Sequence, residues 1–292
     1  MHYTGTVYRP PAEAYSVLLQ VTVGCSHGKC RFCHGYKDLP FRAEPIEQIV
    51  EDLQEVREAR PNTTRIHLLS GDAFALSFDQ LMEIASKIRE YLPKVEVISS
   101  MCGIINLKDK SLEQLKKLKE AGYKYLYVGM ESGLDEVLVA TEKGCTVNDT
   151  TEQLHKLEES GIKYDANYML GLAGSGNSEK NALATAELVN KLKPNIVAIL
   201  SLTLFPDTKM YRDRKNGDFI EASELERTKE FKTFIENLNI KTRIAANHVT
   251  MGTPIVGDLP QDKDKILNEL QYIIDTFDEN WYRTRRDNLR SV

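Results

Sequence analysis

Three cysteines fall within nine residues, in the segment Cys25-Ser-His-Gly-Lys-Cys30-Arg-Phe-Cys33. Four residues and then two separate them, and the segment follows directly on an apolar run, 15–23, with the character of a buried strand. Thiolates at this spacing can converge on one metal centre. A tetrahedral structural zinc needs a fourth ligand, which His34 or His27 could supply. An iron–sulfur cluster held by three cysteines instead leaves one iron open to chelation. Cys102 and Cys145 stand alone, too few for a second all-cysteine cluster. No charged-then-apolar segment opens the chain, so the odd, uneven set points to metal or redox chemistry and not to a disulfide framework.

The elements that must position these thiols are legible as an alternation. Strand-like runs at 15–23, 65–69, 95–99, 125–130, 163–170 and 196–202 are separated by amphipathic stretches at 45–60, 77–92, 110–121, 149–160 and 178–192. Ser77 is placed to cap one of these helices, and Gly122 and Gly161 to close two others. This spacing implies parallel βαβ units, and the near-continuous apolarity of the runs implies strands covered on both faces. Periodicity alone fits an open doubly wound sheet and a partial barrel equally. Beyond Pro206 the pattern changes. A charged amphipathic helix is predicted at 223–238, a short strand at 243–249, a Gly/Pro-rich loop at 251–260, a helix at 262–277 and a solvated basic tail at 283–290. The expected organisation is an N-terminal arm (1–14), a core (15–204) and a C-terminal extension packed on it (205–292).

In parallel α/β folds chemistry gathers at the carboxyl ends of strands, which singles out further residues. Ser70-Gly71-Asp72 ends the second strand. Ser99, Ser100, Met101 and Cys102 are expected at the exit of the third. Glu131 follows a run of apolar residues, would be costly if buried without a partner, and has Lys143 as a candidate partner. Gly171 and Leu172 end the fifth strand. Asn247 and His248 close the apolar strand of the extension.

Composition bounds the rest. The 292 residues carry a formal net charge of −5 and are 41% hydrophobic, ordinary for a globular protein. The longest apolar stretch, 196–205, falls short of the ~20 residues that span a bilayer. A cytoplasmic protein is expected, and the mild acidity weighs against nucleic acid as a partner.

The cysteine segment resembles that of the radical S-adenosylmethionine (SAM) superfamily, whose usual motif has three and then two residues between cysteines and an aromatic, here Phe32, before the last. This chain has four in the first gap, with Gly28 placed to absorb the extra residue. The likeness continues through Ser70-Gly71-Asp72, similar to the turn that holds the methionine amino group. Gly129-Met130-Glu131-Ser132-Gly133, residues 138–144 and 169–174, and Leu204-Phe205-Pro206-Asp207-Thr208 resemble the branch containing methylthiotransferases and the Elongator catalytic subunit.

The resemblance implies a partial (βα)6 TIM-type barrel with a C-terminal α/β extension. It implies an anaerobic enzyme in which Cys25, Cys30 and Cys33 ligate a 4Fe-4S cluster, and SAM is cleaved to a 5′-deoxyadenosyl radical that takes a hydrogen from its substrate. It makes Phe32, Tyr36, Ser70, Gly71, Asp72, Ser99, Glu131, Lys143, Gly171 and Leu172 candidates for the cofactor site. Cys102, if it points into the barrel, would be a catalytic hydrogen donor. A ferredoxin or flavodoxin would deliver the electron, and a small molecule or peptide is the expected substrate. The alternatives are a non-catalytic cluster- and SAM-binding protein of the haem-carrier kind, a tRNA-modifying radical SAM enzyme, and a zinc-stabilised binding protein.

Overall fold

The computed structural model describes residues 1–290. After a single 3-10 turn at Pro11–Glu13, the strands are β1 (Val17–Gln20), β2 (Thr22–Val23), β3 (Arg42–Ala43), β4 (Arg65–Leu69), β5 (Val97–Gly103), β6 (Tyr123–Glu131), β7 (Lys163–Leu170), β8 (Ile196–Ser201), β9 (Thr242–Ala246) and β10 (Ile255–Leu259). The helices are α1 (Ile46–Ala59), α2 (Phe78–Tyr91), α3 (Ile104–Lys108), α4 (Leu112–Ala121), α5 (Asp135–Ala140), α6 (Val147–Ser160), α7 (Ser178–Val189), α8 (Lys209–Asn216), α9 (Glu224–Glu236), α10 (Lys263–Asp275) and α11 (Glu279–Asp287).

The chain forms two compact units, one of residues 1–28, 35–129 and 152–164, the other of 29–34, 130–151 and 165–292. In the first, β1, β4, β5 and β6 pair in that order, all parallel, and the short β2 and β3 pair antiparallel. Buried Ile66, Leu68, Ile98 and Leu126 supply the apolar strand faces that α1, α2 and α4 cover. Ser77 caps α2 reciprocally with Gln80, its hydroxyl accepting from Gln80 N–H at 3.2 Å. Gly122 ends α4 in the left-handed region.

In the second unit β7, β8 and β9 run parallel and β10 returns antiparallel to β9. The predicted α/β architecture with parallel strands is therefore what the chain builds. The extension contributes β9 as a further parallel strand beside β8, and the second unit takes in both it and the residues before 205.

Three expectations are corrected. The third strand does not stop at 99 but runs to Gly103. Its small polar residues have the character of a turn, yet their hydroxyls are satisfied inside the fold: Ser99 donates to Glu13 at 2.8 Å and Ser100 to the Met101 carbonyl at 2.9 Å. The stretch 251–260 contains a strand, β10. Gly257 lies in it because a Cβ there would come within 2.9 Å of both Asp262 and Ile266. The basic tail is the largely exposed end of a helix, α11, but Arg286 within it is buried and not solvated. Its Glu279 carboxylate accepts from the N–H groups of Glu224 and Leu225 at the start of α9, its Arg283 pairs with Glu221 at 3.0 Å, and its Arg286, 6% exposed, forks onto Glu224.

Candidate functional site

Cys25, Cys30 and Cys33 are half-buried, whereas Cys102 and Cys145 are buried. Cys25 belongs to the first unit, Cys30 and Cys33 to the second. Among the described residues no three His, Cys, Asp or Glu side chains stand together as a ready-made metal site.

In the first unit the turn after β4 is tied to the chain around Cys25. Ser70 Oγ donates to the Gly24 carbonyl at 2.7 Å and the Gly71 N–H to the same oxygen at 3.1 Å. A Cβ on Gly71 would stand 2.8 Å from Cys25 Cβ and 3.0 Å from the Tyr36 ring, so only glycine admits this approach. Tyr36 sits at that point with its ring edge-on to Tyr8, centroids 5.4 Å apart. The structure thus brings Cys25, Tyr36, Ser70 and Gly71 together. Asp72 Oδ1 accepts from the Ser26 N–H at 2.9 Å, and Oδ2 accepts from the Ser26 hydroxyl and, at 3.4 Å, from Asn106 Nδ2. Burial pushes the Asp72 carboxyl up, against the downward pull of these bonds.

Ser99 is placed elsewhere than expected, whereas Cys102 lies at the carboxyl end of β5 as expected. Ser99 is the third of seven residues in β5, fully buried, between Glu13 and His67. Sequence reasoning missed Glu13, which also accepts from Ser16, Arg65 and Tyr127. Its burial would raise its carboxyl, but these bonds, Arg65 foremost, hold it down to about 2. The signal was a lone acid after Pro10-Pro11, indistinguishable from a turn residue. Cys102 stands on the face of β5 opposite Ser99, since strand neighbours three apart point oppositely. Its thiol, raised by burial, donates to the Gly103 carbonyl at 3.3 Å.

In the second unit the remaining loop residues are held on several sides. Arg31 N–H donates to the Thr141 carbonyl at 2.9 Å, its carbonyl accepts from Met210 N–H at 3.0 Å, and its guanidinium pairs with Asp213 at 2.6 Å and Glu142 at 3.1 Å. Phe32 is buried in an apolar cluster with Val137, Leu172, Leu202 and Met210, against which Cys30 and Cys33 pack. His34 Nδ1 bonds Asp207 at 2.8 Å and its ring stacks on Phe205. The three thiols are the donor set of an iron–sulfur cluster that leaves one iron open, whereas a tetrahedral zinc would need a fourth ligand besides them.

Glu131 pairs with Lys143 at 2.9 Å, both largely buried. Burial alone would lower the Lys143 ammonium, but Glu131, and behind it the Cys30 thiol, raise it above its ordinary value. Gly171 N–H donates to Glu230 at 2.7 Å, a buried carboxylate that also accepts from Tyr168 and Asn181. His248, at the end of β9, bonds Thr250 through Nδ1 at 2.9 Å.

Among the described residues four non-glycines have positive φ: Tyr36 (62°), Ser70 (105°), Glu131 (70°) and Glu142 (53°). Each such residue costs about 1–3 kcal/mol, and such strain clusters at functional sites. Three of the four are candidates by sequence, and Glu142 adjoins Lys143.

A parallel α/β fold with strained strand ends and a three-thiol loop defines a class of cofactor-dependent proteins, and comparison with known proteins agrees. The family model described as the radical SAM superfamily matches residues 19–189, and the chain belongs to that superfamily. A tRNA uridine(34) acetyltransferase of Methanocaldococcus infernus is 23% identical over 234 residues, covering 67% of this chain and 44% of that protein. The heme chaperone HemW of Bacillus subtilis is 24% identical over 200 residues, covering 66% of this chain and 52% of that one. The chain therefore spans only about half of these relatives. Among solved structures, the radical SAM methyltransferase TsrM of Kitasatospora setae superposes with a TM-score of 0.55 at 20% identity, over 67% of this chain and 38% of that one. The shared fold is that of the partial TIM-type barrels of this superfamily.

Proposed function

We propose that this chain is an enzyme in which Cys25, Cys30 and Cys33 hold three irons of a 4Fe-4S cluster and the amino and carboxylate groups of SAM take the fourth. The observation that carries this reading is the superfamily match, which contains all three thiols and every strained candidate. When bound and reduced by a ferredoxin or flavodoxin, the pair supplies a 5′-deoxyadenosyl radical that takes a hydrogen atom from a small-molecule or peptide substrate. The chain's own residues bind and orient. Ser70 and Gly71, beside Cys25 and Tyr36, would line the methionine end. Glu131, held by Lys143, would accept from ribose hydroxyls. Phe32 and Leu172 wall the loop with apolar surface that excludes water, and the Gly171 backbone would approach the adenine.

The test is iron and sulfide analysis of protein prepared without oxygen. Cys25→Ala, Cys30→Ala and Cys33→Ala should each abolish the cluster, and Cys102→Ala should retain it. One zinc per chain with neither iron nor sulfide would overturn the reading.

A second substrate reading is tRNA, favoured by the tRNA uridine(34) acetyltransferase among the relatives. It weakens the expectation, drawn from net charge, that nucleic acid is not a partner. Titration with bulk tRNA at two salt concentrations separates the two: a micromolar complex that weakens steeply with salt supports tRNA, and no complex supports the smaller substrate.

A further inference from the structure

Asp72 stands where the expected contact to the methionine amino group would be, yet its carboxylate faces the protein. The side chain is 3% exposed. Oδ1 accepts from the Ser26 N–H, and Oδ2 accepts from the Ser26 hydroxyl and from Asn106 Nδ2. The Cys25 thiol is a further hydrogen-bond partner of this carboxylate, so its roughly four acceptor positions are filled by the chain itself. Asn106 is fixed in turn: its Oδ1 accepts from the Gly103 N–H at 2.6 Å at the end of β5, and its Nδ2 also reaches Ser26 Oγ at 3.4 Å. On the other side of Cys25, Ser70 and Gly71 both donate to the Gly24 carbonyl. The residues immediately before and after Cys25 are therefore each clamped to the 70–72 turn, one by its carbonyl and the other by its N–H and hydroxyl.

We propose that Asp72 is a positioning residue that fixes Cys25 through Ser26, and that it is not a ligand of the SAM methionine group. The proposal rests on the cluster reading above and concerns this chain's own residues toward that group. The neighbours of a metal-ligating thiolate orient it, and loss of such support typically costs 10–100-fold in metal affinity. Without the clamp, Cys25 would sample positions from which it cannot close a cluster with Cys30 and Cys33. The Ser70 hydroxyl and the backbone of the turn remain for the methionine end.

The test compares wild type, Asp72→Asn and Ser26→Ala after reconstitution without oxygen. Asp72→Asn keeps an oxygen for the Ser26 N–H but sets an amide NH2 against the Asn106 NH2, and so removes the charge and weakens the clamp at nearly constant volume. Ser26→Ala removes the hydroxyl's two bonds, to Asp72 and from Asn106, and leaves the Ser26 N–H on Asp72. Two quantities are read: iron and sulfide per chain, and the change in the electron paramagnetic resonance spectrum of the reduced cluster on adding SAM, normalised to cluster. The expected result is that Asp72→Asn loses at least half of its iron and sulfide and Ser26→Ala loses less, while the remaining clusters in both respond to SAM as wild type does. Full iron content in Asp72→Asn would overturn the proposal. So would remaining clusters that no longer respond to SAM, the mark of a direct ligand. A wild-type chain that takes up no iron would overturn the cluster reading itself and this proposal with it.

Discussion

Glu131 and Lys143 show how one buried pair can be both a cost and a device. Removing one partner of a buried ion pair strands the other, at about 3–5 kcal/mol. Lys143→Met should therefore lower the unfolding free energy of the cofactor-free chain by a few kcal/mol, measured by denaturant titration. Lys143→Met with Glu131→Gln should recover much of the loss. A single variant as stable as wild type would show that Glu131 does not depend on this partner. The pair was legible in the sequence because a carboxylate closing the apolar run of β6 demands a cation, and Lys143 is the nearby lysine in the 138–144 stretch. The cysteine spacing was legible for a similar reason: three thiols in nine residues have few other uses. Ser99 and Asp72 were less legible. What decides their roles is which groups from distant segments, Glu13 for one and Ser26 with Asn106 for the other, reach their side chains, and neither partner carries a local signal.

At the scale of elements, strands β4, β6 and β7 and helices α2 and α4 follow from periodicity and caps, because local chemistry specifies them. The misjudged elements, the second half of β5, β10 and α11, are those whose polar or glycine residues are satisfied by tertiary contacts. The turn at Pro11–Glu13 is the clearest case. Glu13 is fully buried and gathers hydrogen bonds from Ser16, Arg65, Ser99 and Tyr127, so a segment resembling an unstructured arm locks the starts of β4 and β5. Its carboxyl is held down to about 2, against about 4.3 for an unfolded glutamate. A lowered folded value stabilises above the unfolded one and loses that stabilisation as pH falls through the folded one. The difference in unfolding free energy between wild type and Glu13→Gln should accordingly be largest above about pH 5 and shrink by roughly 3 kcal/mol as pH falls toward 2. Parallel pH profiles would contradict this role for Glu13.

At the scale of the molecule, the net charge of −5 says little about substrate. Two arginines of the basic C-terminal run are engaged inward, in ion pairs with Glu221 and Glu224, so the run offers less free positive charge than its sequence suggests. No helix among the described residues is long and apolar enough to cross a membrane. Periodicity could not choose between an open sheet and a partial barrel, because closure depends on strand twist and tilt and not on the order of apolar residues. The superfamily match and the structural likeness make that choice. The central claim, that the chain performs radical chemistry and does not merely carry a cluster, is tested most directly by one assay: the reconstituted wild-type protein, reduced without oxygen in the presence of SAM, assayed for 5′-deoxyadenosine. The account predicts its formation with wild type and none with Cys30→Ala. A fully loaded wild-type protein that yields no 5′-deoxyadenosine would contradict it and favour a non-catalytic carrier.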